Sequence, residues 1–169
     1  MYIYTATHYK EALHIDDIKQ EDYYFHASYD SDLVWKEGYN DVFGDFMFFT
    51  GGYPSRHYGE YLYAIHDSYL KQPITPYEIV YKEDDTKLKN LIEDMMSFFD
   101  TDQDTAWEIL AEEVHLSGEE GWEQQRFIGE AAQLLGYDVV EVNDEYGTSY
   151  MIDMKKHKNH IVFIIEDTH

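Results

Sequence analysis

The chain of 169 residues contains no cysteine. Disulfides and thiol nucleophiles are therefore excluded, and a zinc site would have to be built from His and carboxylate alone. Basic residues are scarce: twelve Lys and Arg face thirty-five Asp and Glu, leaving a formal charge of −23 with neutral histidines. Binding to a phosphate backbone needs a positive field, so direct nucleic-acid recognition is not expected. An anionic membrane surface would repel the chain. No apolar run approaches the ~18 residues of a membrane span. The first residues, MYIYTATHYKEALHIDDI, have neither a basic head nor an apolar signal region. These features predict a soluble, cytoplasmic protein. Only three prolines occur, and no Pro/Ser/Gly linker or repeat divides the chain, which predicts a single domain over 1–169. There is no G-x-S-x-G elbow, no Walker A loop, no G-x-G-x-x-G and no H-E-x-x-H. The commonest hydrolase, NTPase, dehydrogenase and metalloprotease signatures are thus missing.

What is present is apolar and aromatic material. Apolar residues make up 44% and aromatics 17% of the chain, enough for a core despite the acid. Short aromatic-rich runs near Gly or Pro predict strands at Tyr23–Ser28, 46–50 and Tyr61–His66, with EIVY at 78–81 a weaker strand candidate. Apolar spacings of three and four predict helices in the middle. One has Asp85 as N-cap and carries Leu88, Leu91, Ile92, Met95 and Phe99. The next runs from Asp102 through Trp107, Leu110 and Val114. The last starts at a Ser117/Glu120 capping box and ends at Gly136. Strands return at 139–142, 149–154 and 161–165, the first two joined by a turn at NDEYG. Strands, helices, then strands predict an α+β domain with a mainly antiparallel sheet.

Four clusters carry candidate chemistry. His26 and Ser28 supply donors and acceptors at the end of an aromatic strand, where either a ligand edge or a nearby carbonyl would satisfy them. The run Gly44 to Gly52 holds Phe46, Phe48, Phe49 and Thr50 before two glycines. Alternation places Phe46 and Phe48 on one face and Phe49 on the other. Asp144 and Glu145 follow a strand into a turn. Val140, Val142 and Asp144 share one face, with Glu141, Asn143 and Glu145 on the other. His157 and His160 have H-x-x-H spacing, but the flanking lysines predict an exposed basic loop.

The order of the first three clusters resembles the ADP-ribosyltransferase fold. More narrowly, it resembles the phage anti-CRISPR ADP-ribosyltransferases that inactivate the type I-F surveillance complex. The resemblance spans about residues 23–154. It is densest where Ala131-Ala132, Leu135-Gly136, Asp144-Glu145, Gly147-Thr148 and Tyr150-Met151-Ile152-Asp153-Met154 follow in series. It implies two roughly perpendicular antiparallel sheets, with the helices inserted in the middle and NAD held between the sheets as a substrate. It implies no metal. His26 and Ser28 would hold the ribose or the nicotinamide amide. Phe49 and Thr50 would line the nicotinamide side, and Tyr58 is a further candidate for NAD contact. Asp144 matches the catalytic acid, with Glu145 its rival. The family shows His-Thr-Ser where this chain has His26-Ala27-Ser28, so one hydroxyl of the NAD-binding motif is replaced by Ala27. Residues 1–22 are expected to be an N-terminal extension.

The implied activity is transfer of ADP-ribose to an asparagine of the large, DNA-contacting subunit of the CRISPR surveillance complex, in the cytoplasm of the bacterial host. The alternatives are a DNA mimic acting stoichiometrically and a transferase toxin with another target. Residues 90–125 favour attention to the mimic, because they hold eleven Asp and Glu and no Lys or Arg. The same acid can instead be a solvated face, or can steer an enzyme onto a basic target.

Overall fold

The computed structural model describes residues 12–29, 44–55, 59–144 and 147–166. Among the described residues, seven strands and five α-helices follow in the order β1 (Ala12–His14), β2 (Tyr23–Ser28), β3 (Phe46–Gly51), β4 (Tyr61–His66), α1 (Pro76–Tyr81), α2 (Lys89–Phe99), α3 (Gln103–Leu110), α4 (Gly118–Leu135), β5 (Val139–Asp144), β6 (Gly147–Asp153), α5 (Met154–His157) and β7 (Val162–Ile165). The fold is α+β, as the order of elements predicts.

Local chemistry explains most boundaries. Thr75 accepts a hydrogen bond from the Glu78 backbone N–H at 3.2 Å, and Pro76 opens the helix. EIVY is therefore the end of α1 and not a strand; a capped Pro outweighs the β-propensity of Ile, Val and Tyr. Asp84, one residue before the expected cap, accepts from Thr86 N–H and starts a 3-10 turn at 85–88 that leads into α2. Asp102 caps α3 through Thr105 N–H at 2.8 Å. That helix stops at Leu110, so Val114 lies in the loop beyond it. Ser117 precedes α4 without capping it through its side chain, so the expected capping box does not form. Gly136 does end α4, in the left-handed region at φ 87.

The strands form one hydrogen-bonded series, β1-β7-β4-β2-β3-β6-β5, antiparallel except where β1 runs parallel to β7. The apolar side chains divide that series into two leaves. Met47 and Phe49 of β3 meet Val139 and Ile152 on one side and Tyr63, Ile65 and Tyr24 on the other, in one shared cluster. The outer face of the β3-β6-β5 leaf carries Phe46, Val140, Val142 and Met151, covered by α2, α3 and α4. The outer face of the β2-β4-β7 leaf carries Phe25, Ala27, Leu62 and Ile164, against which Leu13, Ile15 and Ile18 pack. Residues 12–22, counted with the extension, thus close one face of the sheet and add its edge strand.

His157 is buried rather than set in an exposed loop, and the reason is Asp138. The His157 ring Nε2 lies 2.5 Å from the Asp138 carboxylate, which also accepts from Lys71 N–H. His160 contacts His157 through the ring nitrogens and stacks on Tyr69. The pair secures the turn between β6 and β7.

The helix layer sits close to the sheet at Gly129. A Cβ built there would lie 2.8 Å from the ring of Phe46, itself 2% exposed. Gly→Ala in a helix interior ordinarily stabilises by about 1 kcal/mol. Here Gly129→Ala is expected to destabilise by about 1–3 kcal/mol, because the buried ring has to shift. Urea unfolding monitored by circular dichroism measures it.

Candidate functional site

β2 and β3 pair over only two positions, Tyr24 with Gly51 and Phe25 with Thr50. Upstream on β3, the pairing passes to β6, from Phe46–Asp153 to Phe49–Tyr150. The two strands therefore fork beyond Phe25. His26 bridges the fork, its Nδ1 lying 2.6 Å from the Phe48 carbonyl. Its ring also meets Phe49, with centroids 5.4 Å apart.

A cavity of about 910 Å³ opens at this fork, within the size range of small-molecule sites. One wall is strand: Phe25 to Ala27 of β2, Phe46 to Thr50 of β3, Asn143 and Asp144 of β5, and Thr148 and Ser149 of β6. The opposite wall is helical, formed by Glu112, by 115–118 and by Gly121, Trp122, Gln124 and Gln125 of α4. Tyr53 and Ser55 also line it.

The fold thus brings His26, Ala27, Phe49, Thr50 and Asp144 to one cavity from three strands. The alternation argument for Asp144 agrees with the packing: Val140 and Val142 point into the helical core, Asn143 is exposed, and Asp144 is half-buried in the cavity wall. Phe46 and Phe48 pack with the helices while Phe49 belongs to the cluster between the leaves, also as alternation predicts. Phe49 is 2% exposed, so most of its ring is committed to that core. Ser28 pairs with Tyr61 and lies outside the cavity lining. The Thr50 hydroxyl donates to the Tyr53 carbonyl at 2.6 Å and orders the turn after β3. Ala27 packs in the outer cluster with Phe25 and Leu62. Tyr58 and Glu145 lie outside the described residues.

The histidine's state follows from its surroundings. Burial pushes the His26 imidazole below its ordinary value, and the hydrogen bond to Phe48 opposes that shift in part. A carbonyl only accepts, so Nδ1 carries the proton and donates. The neutral ring then leaves Nε2 as an acceptor for a ligand hydroxyl or amide N–H.

The helical wall was not legible as a site. Gln124, 4% exposed, holds it together. Its amide nitrogen donates to the carbonyls of Ile109 at 2.8 Å and Val114 at 2.7 Å, and its oxygen accepts from Leu116 N–H at 3.3 Å. This staples the loop after α3, which carries Glu112 and His115 into the lining. Burial raises the Glu112 carboxyl above its ordinary value, with His115 opposing. No short signal in the sequence marks it: Val114 continues the spacing of Trp107 and Leu110, and Gln124 sits among Glu123, Gln125 and Arg126.

The class that fold and cleft belong to is given by comparison with known proteins. Residues 23–160 match the family model described as Anti-CRISPR Type I-F ADP-ribosyltransferase AcrIF11. A similar solved structure is a crystal structure of an anti-CRISPR protein, 28% identical, which covers 77% of this chain and 88% of that one with a TM-score of 0.50. No curated protein matches the sequence. The chain belongs to the anti-CRISPR type I-F ADP-ribosyltransferase family, and it is an NAD-dependent mono-ADP-ribosyltransferase. No helix of the described residues is long and apolar enough to cross a membrane.

Gln124→Ala leaves two carbonyls and one N–H of the α3–α4 loop without their partner. The expected loss is about 3 kcal/mol of stability. Chemical denaturation measures it, and amide exchange is expected to show the loss concentrated at 109–116.

Proposed function

We propose that the protein transfers ADP-ribose from NAD to a side-chain nitrogen, an asparagine amide, of the large subunit of the type I-F CRISPR surveillance complex. The observation that carries this reading is the convergence of His26, Phe49, Thr50 and Asp144 on one cavity at the fork between β2 and β3. In this reading the two leaves that meet along β3 are the two sheets between which NAD is held. His26 Nε2 accepts from the ribose or the nicotinamide amide. Phe49 and Thr50 bound the nicotinamide. Ser28 and Tyr58 are assigned to the same nucleotide at the edge of the site.

Breaking the bond between ribose and nicotinamide leaves positive charge on the sugar. The Asp144 carboxylate faces that charge and stabilises it more in the transition state than in the ground state. Glu145 is the second candidate for this role. NAD pinned by the strand wall departs from a fixed geometry, which reduces the entropic part of the barrier. Attaching a bulky anionic group beside a DNA-reading surface then blocks DNA by sterics and charge.

The acidic helices fit the same account. They face a partner that handles nucleic acid and is therefore basic, and they steer the encounter. A purely stoichiometric DNA mimic is the competing reading, since the same acidic surface would serve it without chemistry.

Asp144→Ala is expected to reduce transfer of labelled ADP-ribose onto the purified complex roughly 10²–10³-fold. Inhibition that needs no NAD and survives this substitution would favour the mimic. Ionic strength separates the two substrates. NAD is anionic, as is the protein, so the KM for NAD is expected to fall between about 10 mM and about 150 mM salt as repulsion is screened. The KM for the complex is expected to rise over the same range, because steering weakens. Initial-rate kinetics at several salt concentrations measures both.

A further inference from the structure

The strand wall of the cavity has a role in the proposed reaction, and the helical wall does not. Among the described residues, Glu112 is the acidic one on that wall. Its backbone is unusual: φ is +58, in the left-handed region that glycine ordinarily fills. The hydrogen bonds identify the reason. Glu112 N–H donates to the Ile109 carbonyl at 3.1 Å and Glu113 N–H to the Glu108 carbonyl at 2.9 Å. These are the two bonds of a Schellman motif at the end of α3, with Glu112 in the position glycine usually takes. A residue that costs stability at that position, half-buried and facing a cavity, is held there by the Gln124 staple on both sides. Strain observed at a cavity wall motivates a functional reading.

We propose that Glu112 contacts the acceptor side chain and takes its proton during transfer. This rests on the transferase reading of the same cavity. With NAD along the strand wall, the acceptor has the helical wall left to it. The bond between the ribose C1′ and the nicotinamide nitrogen breaks, and its electron pair leaves with nicotinamide. The acceptor amide nitrogen forms the new bond to C1′ and loses one proton to the Glu112 carboxylate, which returns it to water. A carboxylate whose proton affinity is raised by burial is the better base for this step. The charged group that acts on Glu112 is His115 on its own loop, and the other titratable groups of the cavity lining are His26 of β2, Tyr53 after β3 and Asp144 of β5.

The test uses Glu112→Gln and Glu112→Gly in the full chain, with the purified type I-F complex as acceptor. Transfer of labelled ADP-ribose is expected to fall roughly a hundredfold in both, while calorimetry shows NAD affinity retained. Glu112→Gly is expected to melt about 2–4 °C higher, because glycine relieves the left-handed strain. The wild-type rate is expected to fall at acidic pH as Glu112 takes up its proton, above the ordinary glutamate range, and Glu112→Gln is expected to move that limb to lower pH. Transfer within threefold of wild type, or a transfer loss matched by an equal loss of NAD affinity, overturns the proposal. A wild-type protein that transfers no label overturns the transferase reading and this proposal with it, whereas an active wild type with indifferent variants overturns this proposal alone.

Discussion

The change of partner along β3 is the constraint on which the rest of the structure depends. One strand of six residues pairs with β2 at its end and with β6 along its beginning. Backbone groups need partners, so the two leaves of the sheet can part only where other donors take over. His26 Nδ1 at the Phe48 carbonyl and the Ser149 hydroxyl at the Phe49 carbonyl are those donors. The fork, its cavity and the neutral state of the histidine follow from this one arrangement. Helices α2 to α4 then cover the outer face of the second leaf, and the loop after α3 closes the cavity from the other side.

Much of this was readable from sequence. The strands at Tyr23–Ser28 and Tyr61–His66 fall where their aromatic alternation places them. Alternation also puts Val140 and Val142 on the inward face, where they pack under the helices, while Asn143 and Asp144 both reach the cavity lining. Local pattern is overridden where a single side chain decides the structure. EIVY has strand-forming residues, but Thr75 and Pro76 decide the local structure. The lysines beside His157 suggest an exposed loop, while the partner that buries it, Asp138, is distant in sequence. The helical wall of the cavity has no signature in the sequence. Its logic depends on Gln124 reaching back to Ile109 and Val114, a contact that no short motif encodes.

The charge of −23 takes on two opposed consequences in a transferase. It favours approach to a basic protein and disfavours approach of an anionic dinucleotide. Among its described residues the cavity lining contains no Lys or Arg. In the proposed reading, recognition of NAD there rests on shape, aromatic contact and neutral hydrogen-bonding groups such as His26. Histidine kept neutral by burial suits that task, since its remaining ring nitrogen accepts without adding charge. In the proposed reading the acid is directed outward at the protein target, with Asp144 set apart from it in the half-buried wall.

The most direct measurement of the central claim is a crystal structure of the Asp144→Asn variant with NAD. The account predicts nicotinamide at the β2–β3 fork, a hydrogen bond from NAD to His26 Nε2, and residue 144 beside the ribose carbon that is attacked. NAD bound away from the fork, or residue 144 remote from that carbon, would contradict it.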